Sequence, residues 1–172
     1  MGGLIFYPNI DFDYSYLTQL VYTSKPIEGR PNHHRLVADD NYLVSIRERY
    51  NFLSPIYNVY VMPDGLPVHT DAGRKCTLNI PLVNCKDTIT IVYQSIDTET
   101  VYDSSKVVNK LNLTENLTEL YRFELDRPML FNTTYPHEVV TNGKERISIS
   151  WSLMPEITFD EAVALFNECE QD

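Results

Sequence analysis

Between residues 56 and 153 the chain is cut into about eight short segments, bounded by turn residues and with little helical pattern between them. They run over 56–62, 66–69, 76–83, 88–94, 120–125, 129–132, 137–140 and 146–153. Several are rich in Val, Ile, Tyr and Thr, and all have strand length. Pro63-Asp64-Gly65 separates the first two and has turn chemistry. Asn142-Gly143 separates the last two and is the dipeptide favoured in tight hairpins. So many strands in succession predict a mainly β fold, a barrel or a jelly roll.

The flanks read differently. Tyr14, Leu17, Leu20 and Val21 recur at helical spacing until Ser24-Lys25-Pro26 stops them. Residues 26–35, which include His33 and His34, are rich in Pro, Gly, Asn and His and read as loop. A second helix is expected from Asp39 or Asp40, with Leu43, Ile46 and Tyr50 on one face and Pro55 as its boundary. After Pro155, Thr158-Phe-Asp-Glu161 forms a capping box. Phe159, Ala162, Val163 and Phe166 then supply an apolar stripe to lay against the outside of the β core. At 172 residues, one domain with its own core is expected. It comprises a helical and irregular part (1–55), a strand-rich core (56–153) and a C-terminal helix (156–172).

Charge and cysteine content narrow the partners. The formal charge is −10, which phosphate backbones repel, so nucleic acid is a poor partner. No apolar run approaches the roughly 20 residues of a membrane-spanning helix. The start, MGGLIFYPNI, lacks the basic and apolar regions of a secretory signal, and Phe6 breaks the pattern for myristoylation. The three cysteines, Cys76, Cys85 and Cys169, have no metal-like spacing. They are read as reduced thiols of a cytoplasmic protein. In that setting the sequons at Asn112, Asn116 and Asn132 carry no meaning.

Chemistry concentrates in His69, Asp71 and His137. Residues two apart on a strand point the same way, so His69 and Asp71 can reach one ion together. A third ligand must come from another strand, and His137 stands at the start of one. Two imidazoles and one carboxylate can occupy one face of an octahedral Fe(II), leaving the other face open. His-x-Asp alone arises often by chance. Here the chain has four histidines, and the two outside the predicted loop bracket a run of strands in the required order.

Other residues are candidates for holding a bound anion. Arg146 begins a strand that reads as buried, so its guanidinium needs an anion: a carboxylate co-substrate, or an internal Asp or Glu. Ser148 shares its face. Arg74 either orients Asp71, contacts substrate or co-substrate, or is a solvated loop cation. Thr77 and Asn79 share one face of the next strand, where buried polar groups require partners. Tyr93 ends the following strand and can offer its hydroxyl.

Together these residues look familiar. The block Leu66-Pro-Val-His-Thr-Asp-Ala-Gly-Arg-Lys-Cys-Thr-Leu-Asn-Ile-Pro-Leu, then Pro136-His137 and Arg146-Ile-Ser148, resembles the Fe(II)/2-oxoglutarate-dependent oxygenases across residues 56–153. The resemblance implies a double-stranded β-helix (jelly-roll) fold, with Fe(II) on His69, Asp71 and His137. It implies that Arg146, helped by Ser148, binds the distal carboxylate of 2-oxoglutarate. It also implies O₂-dependent hydroxylation with release of succinate and CO₂. The short length resembles the prolyl-hydroxylase-like group, although those enzymes typically carry Lys where this chain has Arg146. The stretch from Arg74 through Leu-Asn-Ile-Pro-Leu resembles the aspartyl/asparaginyl-hydroxylase-like branch, which often lacks a carboxylate ligand where Asp71 stands here. Small free-standing oxygenases of this kind are also encoded by bacteriophages.

The substrate is expected to be a protein side chain or a small molecule, chosen by loops and by the N-terminal third. The chain has twelve tyrosines. Tyr14, Tyr16, Tyr22, Tyr57 and Tyr60 crowd its first sixty residues, either lining a pocket or packing the core. The polar stretch 100–118 reads as a lid over the metal or as an ordinary long loop. Two other classes compete: a cupin-like metal protein without 2-oxoglutarate, and a non-catalytic β-barrel binding module. Cupins usually bring more histidines to the metal, and a binding module has no need of an open metal face.

Overall fold

The computed structural model describes residues 3–71, 73–94, 100–101, 108–111 and 117–171, with 100–101 and 108–111 described by backbone alone. Its strands are β1 (Ile5–Phe6), β2 (His33–Val37), β3 (Leu53–Met62), β4 (Leu66–Asp71), β5 (Cys76–Val83) and β6 (Ile89–Gln94). They continue as β7 (Thr100–Val101), β8 (Val108–Leu111), β9 (Thr118–Glu124), β10 (Met129–Asn132), β11 (His137–Val140) and β12 (Arg146–Leu153). Among the described residues three α-helices join them: α1 (Tyr14–Thr23), α2 (Asn41–Arg49) and α3 (Phe159–Cys169). The strands form two antiparallel sheets, ordered β1-β10-β5-β12-β3-β2 and β7-β8-β4-β11-β6-β9. From β3 to β6, and again from β10 to β12, successive strands alternate between the sheets. The result is mainly β, with two sheets that do not close into a barrel among the described residues.

A period of two divides the first sheet into two chemically distinct faces. On β12, Ile147, Ile149, Trp151 and Leu153 join the main core with Val59 of β3 and Leu78 and Ile80 of β5. The helices cover that face with Leu17 and Val21 of α1, Leu43 of α2, and Phe159, Ala162 and Phe166 of α3. Phe166 stands edge-on to Phe52, with ring centroids 4.8 Å apart. The opposite face of β12 carries Arg146, Ser148 and Ser150, all buried, and looks into the space between the sheets. A smaller core of Val92, Phe123, Leu125, Met129 and Phe131 fills part of that space.

The capping box of α3 forms as expected. The Glu161 backbone N–H donates to Thr158 Oγ1, and the Thr158 backbone N–H donates to Glu161 Oε2 at 2.8 Å. Three local expectations need correction. His33 and His34 lie not in a loop but in β2, buried, because β2 pairs along β3 from His33↔Tyr60 to Val37↔Ile56. Pro55 does not bound α2, which ends at Arg49; it lies inside β3, where a bulge interrupts pairing with β12 between Trp151 and Leu153. A missing N–H is tolerated at such a break.

The third correction concerns Asn142-Gly143. Both residues take positive φ, 50° and 77°, and Lys144 N–H donates to Thr141 O at 2.9 Å, so the tight turn is real. The strands it joins do not pair, however: β11 lies in the second sheet and β12 in the first. The turn is a corner between sheets. Pro63-Asp64-Gly65 does the same between β3 and β4. At Gly65 (φ 79°) a Cβ would sit 2.2 Å from Val139 O, so glycine there lets the corner press against β11. The polar stretch 100–118 falls largely outside the described residues.

Of the tyrosines near the N-terminus, Tyr57 is core, Tyr14 and Tyr22 are exposed, and Tyr16 packs on Tyr42. Tyr60 alone among the five lines the space between the sheets. Phe166→Ala is expected to cost about 3–5 kcal/mol in urea unfolding. Thr158→Ala should cost about 1 kcal/mol. Both should leave Mn(II) affinity unchanged; loss of metal binding in either would tie α3 to the site.

Candidate metal centre

Backbone pairing brings the three predicted ligands together. His137 on β11 stands directly opposite His69 on β4, and their ring centroids are 4.2 Å apart. One donor atom from each of His69, Asp71 and His137 lies within 4.8 Å of the others. The β4–β11 register slips between His137 and Val139, and such bulges re-aim side chains beside functional sites.

Each imidazole is held in one tautomer by the backbone carbonyl two residues before it. His69 Nδ1 lies 2.8 Å from Pro67 O, and His137 Nδ1 lies 2.9 Å from Tyr135 O. A carbonyl only accepts, so each Nδ1 carries the proton and each Nε2 keeps its lone pair for an ion. Burial, reinforced by neighbouring His69, pushes the pKa of His137 down to about 4, so this ring is neutral at pH 7. Phe131 stands edge-on to it at 4.8 Å.

Asp71 is fixed from the other side. Arg74 Nε donates to Asp71 Oδ2 at 2.7 Å, and Arg74 Nη1 donates to Ser152 Oγ at 3.1 Å. Asp71 Oδ1 lies 3.6 Å from His69 Nε2 and faces the histidines. Burial alone would raise the Asp71 carboxyl; the Arg74 guanidinium outweighs it and holds the group well below the usual carboxylate range. Arg74 is therefore a buried positioning residue rather than a solvated loop cation. The loop behind it is tied down as Thr133 Oγ1 donates to Arg74 O at 3.1 Å. Two neutral imidazole nitrogens and one carboxylate oxygen suit a first-row divalent metal ion.

The same cavity has a second polar end. It encloses about 60 Å³, a few water-sized positions. Arg146 lines it, 4% exposed, with Nη1 donating to Thr90 Oγ1 across the sheets at 3.1 Å. Its Nε is buried without a hydrogen-bond partner. No carboxylate among the described residues pairs with it, so the internal salt bridge weighed from sequence is absent there. Burial lowers its pKa from the ordinary arginine value. Ser148 lines the wall nearby, directly opposite Tyr60 on β3.

Thr77 and Asn79 also line the cavity, although Thr77 is already engaged: its Oγ1 lies 2.8 Å from Ser150 Oγ and donates to Trp151 O. Tyr93 does not line it. On β6, Thr90 and Val92 face inward, and Tyr93 projects from the other face to donate a short hydrogen bond to Glu138. Sequence reasoning missed Thr90 as the partner of Arg146. It also left the place of Tyr60 open. Thr90 is a buried polar position on the inward face of β6, a clue that strand alternation offered once the inward face was known. The Tyr60 hydroxyl is buried and near Arg74, yet makes no hydrogen bond of acceptable geometry.

Compared with known proteins, the chain matches no family model and no curated protein. Among the described residues, no helix is long and apolar enough to cross a membrane.

The two buried arginines should respond oppositely to removal of charge. Arg74→Met strands Asp71 without its cation and is expected to cost about 3–5 kcal/mol in chemical denaturation. Arg146→Met removes a buried charge that has no counter-ion among the described residues, so its melting temperature should equal or exceed that of the parent. Equal losses in both variants would mean that Arg146 has a structural anion of its own.

Proposed function

We propose that the chain is an Fe(II)- and 2-oxoglutarate-dependent oxygenase with a double-stranded β-helix core, hydroxylating a protein side chain or a small molecule. One observation carries this reading. A single cavity holds a two-histidine, one-carboxylate cluster together with a buried arginine that has no counter-ion among the described residues. A structural metal site has no use for that cation, whereas a chelating dicarboxylate needs both ends. The alternation of strands between two facing sheets also favours the jelly-roll class.

In this reading His69 and His137 offer Nε2, and Asp71 offers Oδ1 while Arg74 retains Oδ2. Bound there, iron supplies the redox chemistry by which O₂ oxidises 2-oxoglutarate to succinate and CO₂ and places one oxygen atom in the substrate. Arg146 grips the distal carboxylate with Thr90 and Ser148 around it, a charge-assisted contact strengthened by burial. Phe123, Phe131, Val139, Leu66 and Met62 form the apolar wall of the cavity.

The test is anaerobic titration of the metal-free protein with Fe(II) and then 2-oxoglutarate, followed by visible absorption and, on adding air, by succinate formation. A weak charge-transfer band and succinate release are expected, and both should vanish in Asp71→Ala. Bound iron without a band would favour the cupin-like alternative, and no iron binding would favour a binding module. Arg146→Met should still bind iron but raise the KM for 2-oxoglutarate at least tenfold, as loss of a contact of about 2–4 kcal/mol requires.

A further inference from the structure

The cavity side of the first sheet continues beyond the cavity. Residues paired across neighbouring strands share a face. The register runs Ser148↔Tyr60 from β12 to β3 and Tyr60↔His33 from β3 to β2; two residues along it runs Ser150↔Asn58 and Asn58↔Arg35. Side-chain contacts agree: the His33 ring stacks on Tyr60 at 4.7 Å, and its Nε2 donates to Asn58 Oδ1 at 3.0 Å. His33 is buried, whereas Arg35 and Val37, next on that face, are exposed. A ledge thus leads from the Tyr60 wall of the cavity out to solvent. Its charge is positive. Burial lowers the His33 pKa most, and the charges of Arg30, Arg74 and Arg35 lower it further, so three guanidinium groups lie around this ring. Arg74 is spent on Asp71, while Arg35 makes no ion pair among the described residues. In a protein of net charge −10, this is a local reversal of sign.

The ledge also ends on a strand edge. β2 is the last strand of its sheet, with β3 on one side and no strand on the other among the described residues. Val61 N–H donates to Asn32 O and Ala38 N–H donates to Pro55 O. These two bonds set the hydrogen-bonded pairs of this antiparallel ladder at the even positions of β2, so the odd positions turn their backbone groups outward. Those of His33 are taken up by Ile27 N–H and Arg30 O. Among the described residues nothing pairs with those of Arg35 and Val37, and such an edge accepts an extended chain.

We propose that this ledge docks an extended acidic segment of a protein substrate, added as a strand along β2 with its carboxylates against Arg35 and Arg30. The proposal rests on the oxygenase reading for the fate of the bound segment, but not for its docking. A strand laid beside β2 presents alternate side chains to the cavity face, a carboxylate opposite Arg35 and an apolar group opposite Val37. Backbone pairing holds the chain without reading its sequence, and the arginines select an acidic one. The net charge of the whole molecule disfavours acidic chains, so a preference for them marks the ledge. By strand spacing the docked chain runs about 10 Å from the backbone of Tyr60, beside the cavity.

The experiment is fluorescence polarisation on the full chain with a fluorescein-labelled peptide of Glu-Thr-Val-Thr repeats, and with matched peptides carrying Gln or Lys in place of Glu. The Glu peptide is expected to bind roughly tenfold more tightly than the Gln peptide, the worth of one charge-assisted contact, and the Lys peptide more weakly still. Arg35→Glu, an exposed change, should remove that preference, Arg35→Lys should keep most of it, and Arg122→Glu on the exposed strand β9 should alter nothing. Methylating the backbone nitrogens of one alternate set of peptide residues should abolish binding and of the other set spare it, because only one set faces β2. Tolerance of both methylated sets, a preference for the Lys peptide, or undiminished binding by Arg35→Glu would each overturn the proposal. Free glutamate binding as tightly as the peptide would overturn it in favour of a small anionic ligand. No peptide binding, with the visible band of the iron titration present, would overturn the proposal and leave the oxygenase reading standing. Peptide binding of the expected pattern without that band would uphold the docking and overturn the oxygenase reading.

Discussion

The two-residue period of β12 is the constraint on which the rest depends. This strand lies inside its sheet, between β5 and β3, and is buried on both sides. One set of alternating residues, Ile147, Ile149, Trp151 and Leu153, anchors the helices. The other set, Arg146, Ser148 and Ser150, gives the cavity its polar wall. A one-residue slip would drive Arg146 into the apolar core and turn Trp151 into the cavity. The main apolar core and the candidate site are thus built back to back on one strand, and the burial of the first holds the second in register.

A cost accompanies this arrangement. Buried polar groups are tolerated when paired, and most here are. Arg74 pairs with Asp71, Thr77 with Ser150, and His69 and His137 with the carbonyls of Pro67 and Tyr135. Among the described residues, Arg146 Nε and Tyr60 Oη break the rule, as do Arg47 Nε and Tyr50 Oη away from the cavity. Two of these four atoms face the candidate cavity. His69, Asp71 and His137, which could hold a metal ion, thus line the same cavity as two unpaired donors.

Strand alternation explains why some residues were legible and others were not. His69 and Asp71, two apart, declared a common direction, and Ser148 followed Arg146 for the same reason. Tyr93 was misjudged because the face of β6 that turns inward depends on pairing with β11, and no local pattern in 88–94 encodes that. The capping box of α3 was readable because all its partners lie within four residues. β2 was not readable, because Pro, Gly, Asn and His dominate its approach and only pairing with β3 makes it a strand. Asn142-Gly143 shows the same division: its positive φ angles are local and were foreseeable, but the sheet that received each flanking strand was not.

The sequence by itself determined the strand-rich class, the helix caps and the three residues able to ligate a metal, since these follow from short-range periodicity and side-chain chemistry. Only the tertiary structure decided that His69 and His137 stand opposite each other, that Arg74 is spent on Asp71, and that Arg146 has no carboxylate among the described residues. Those facts depend on which strands pair and on what burial leaves unpaired. They are properties of contacts far apart along the chain, and no local pattern carries them.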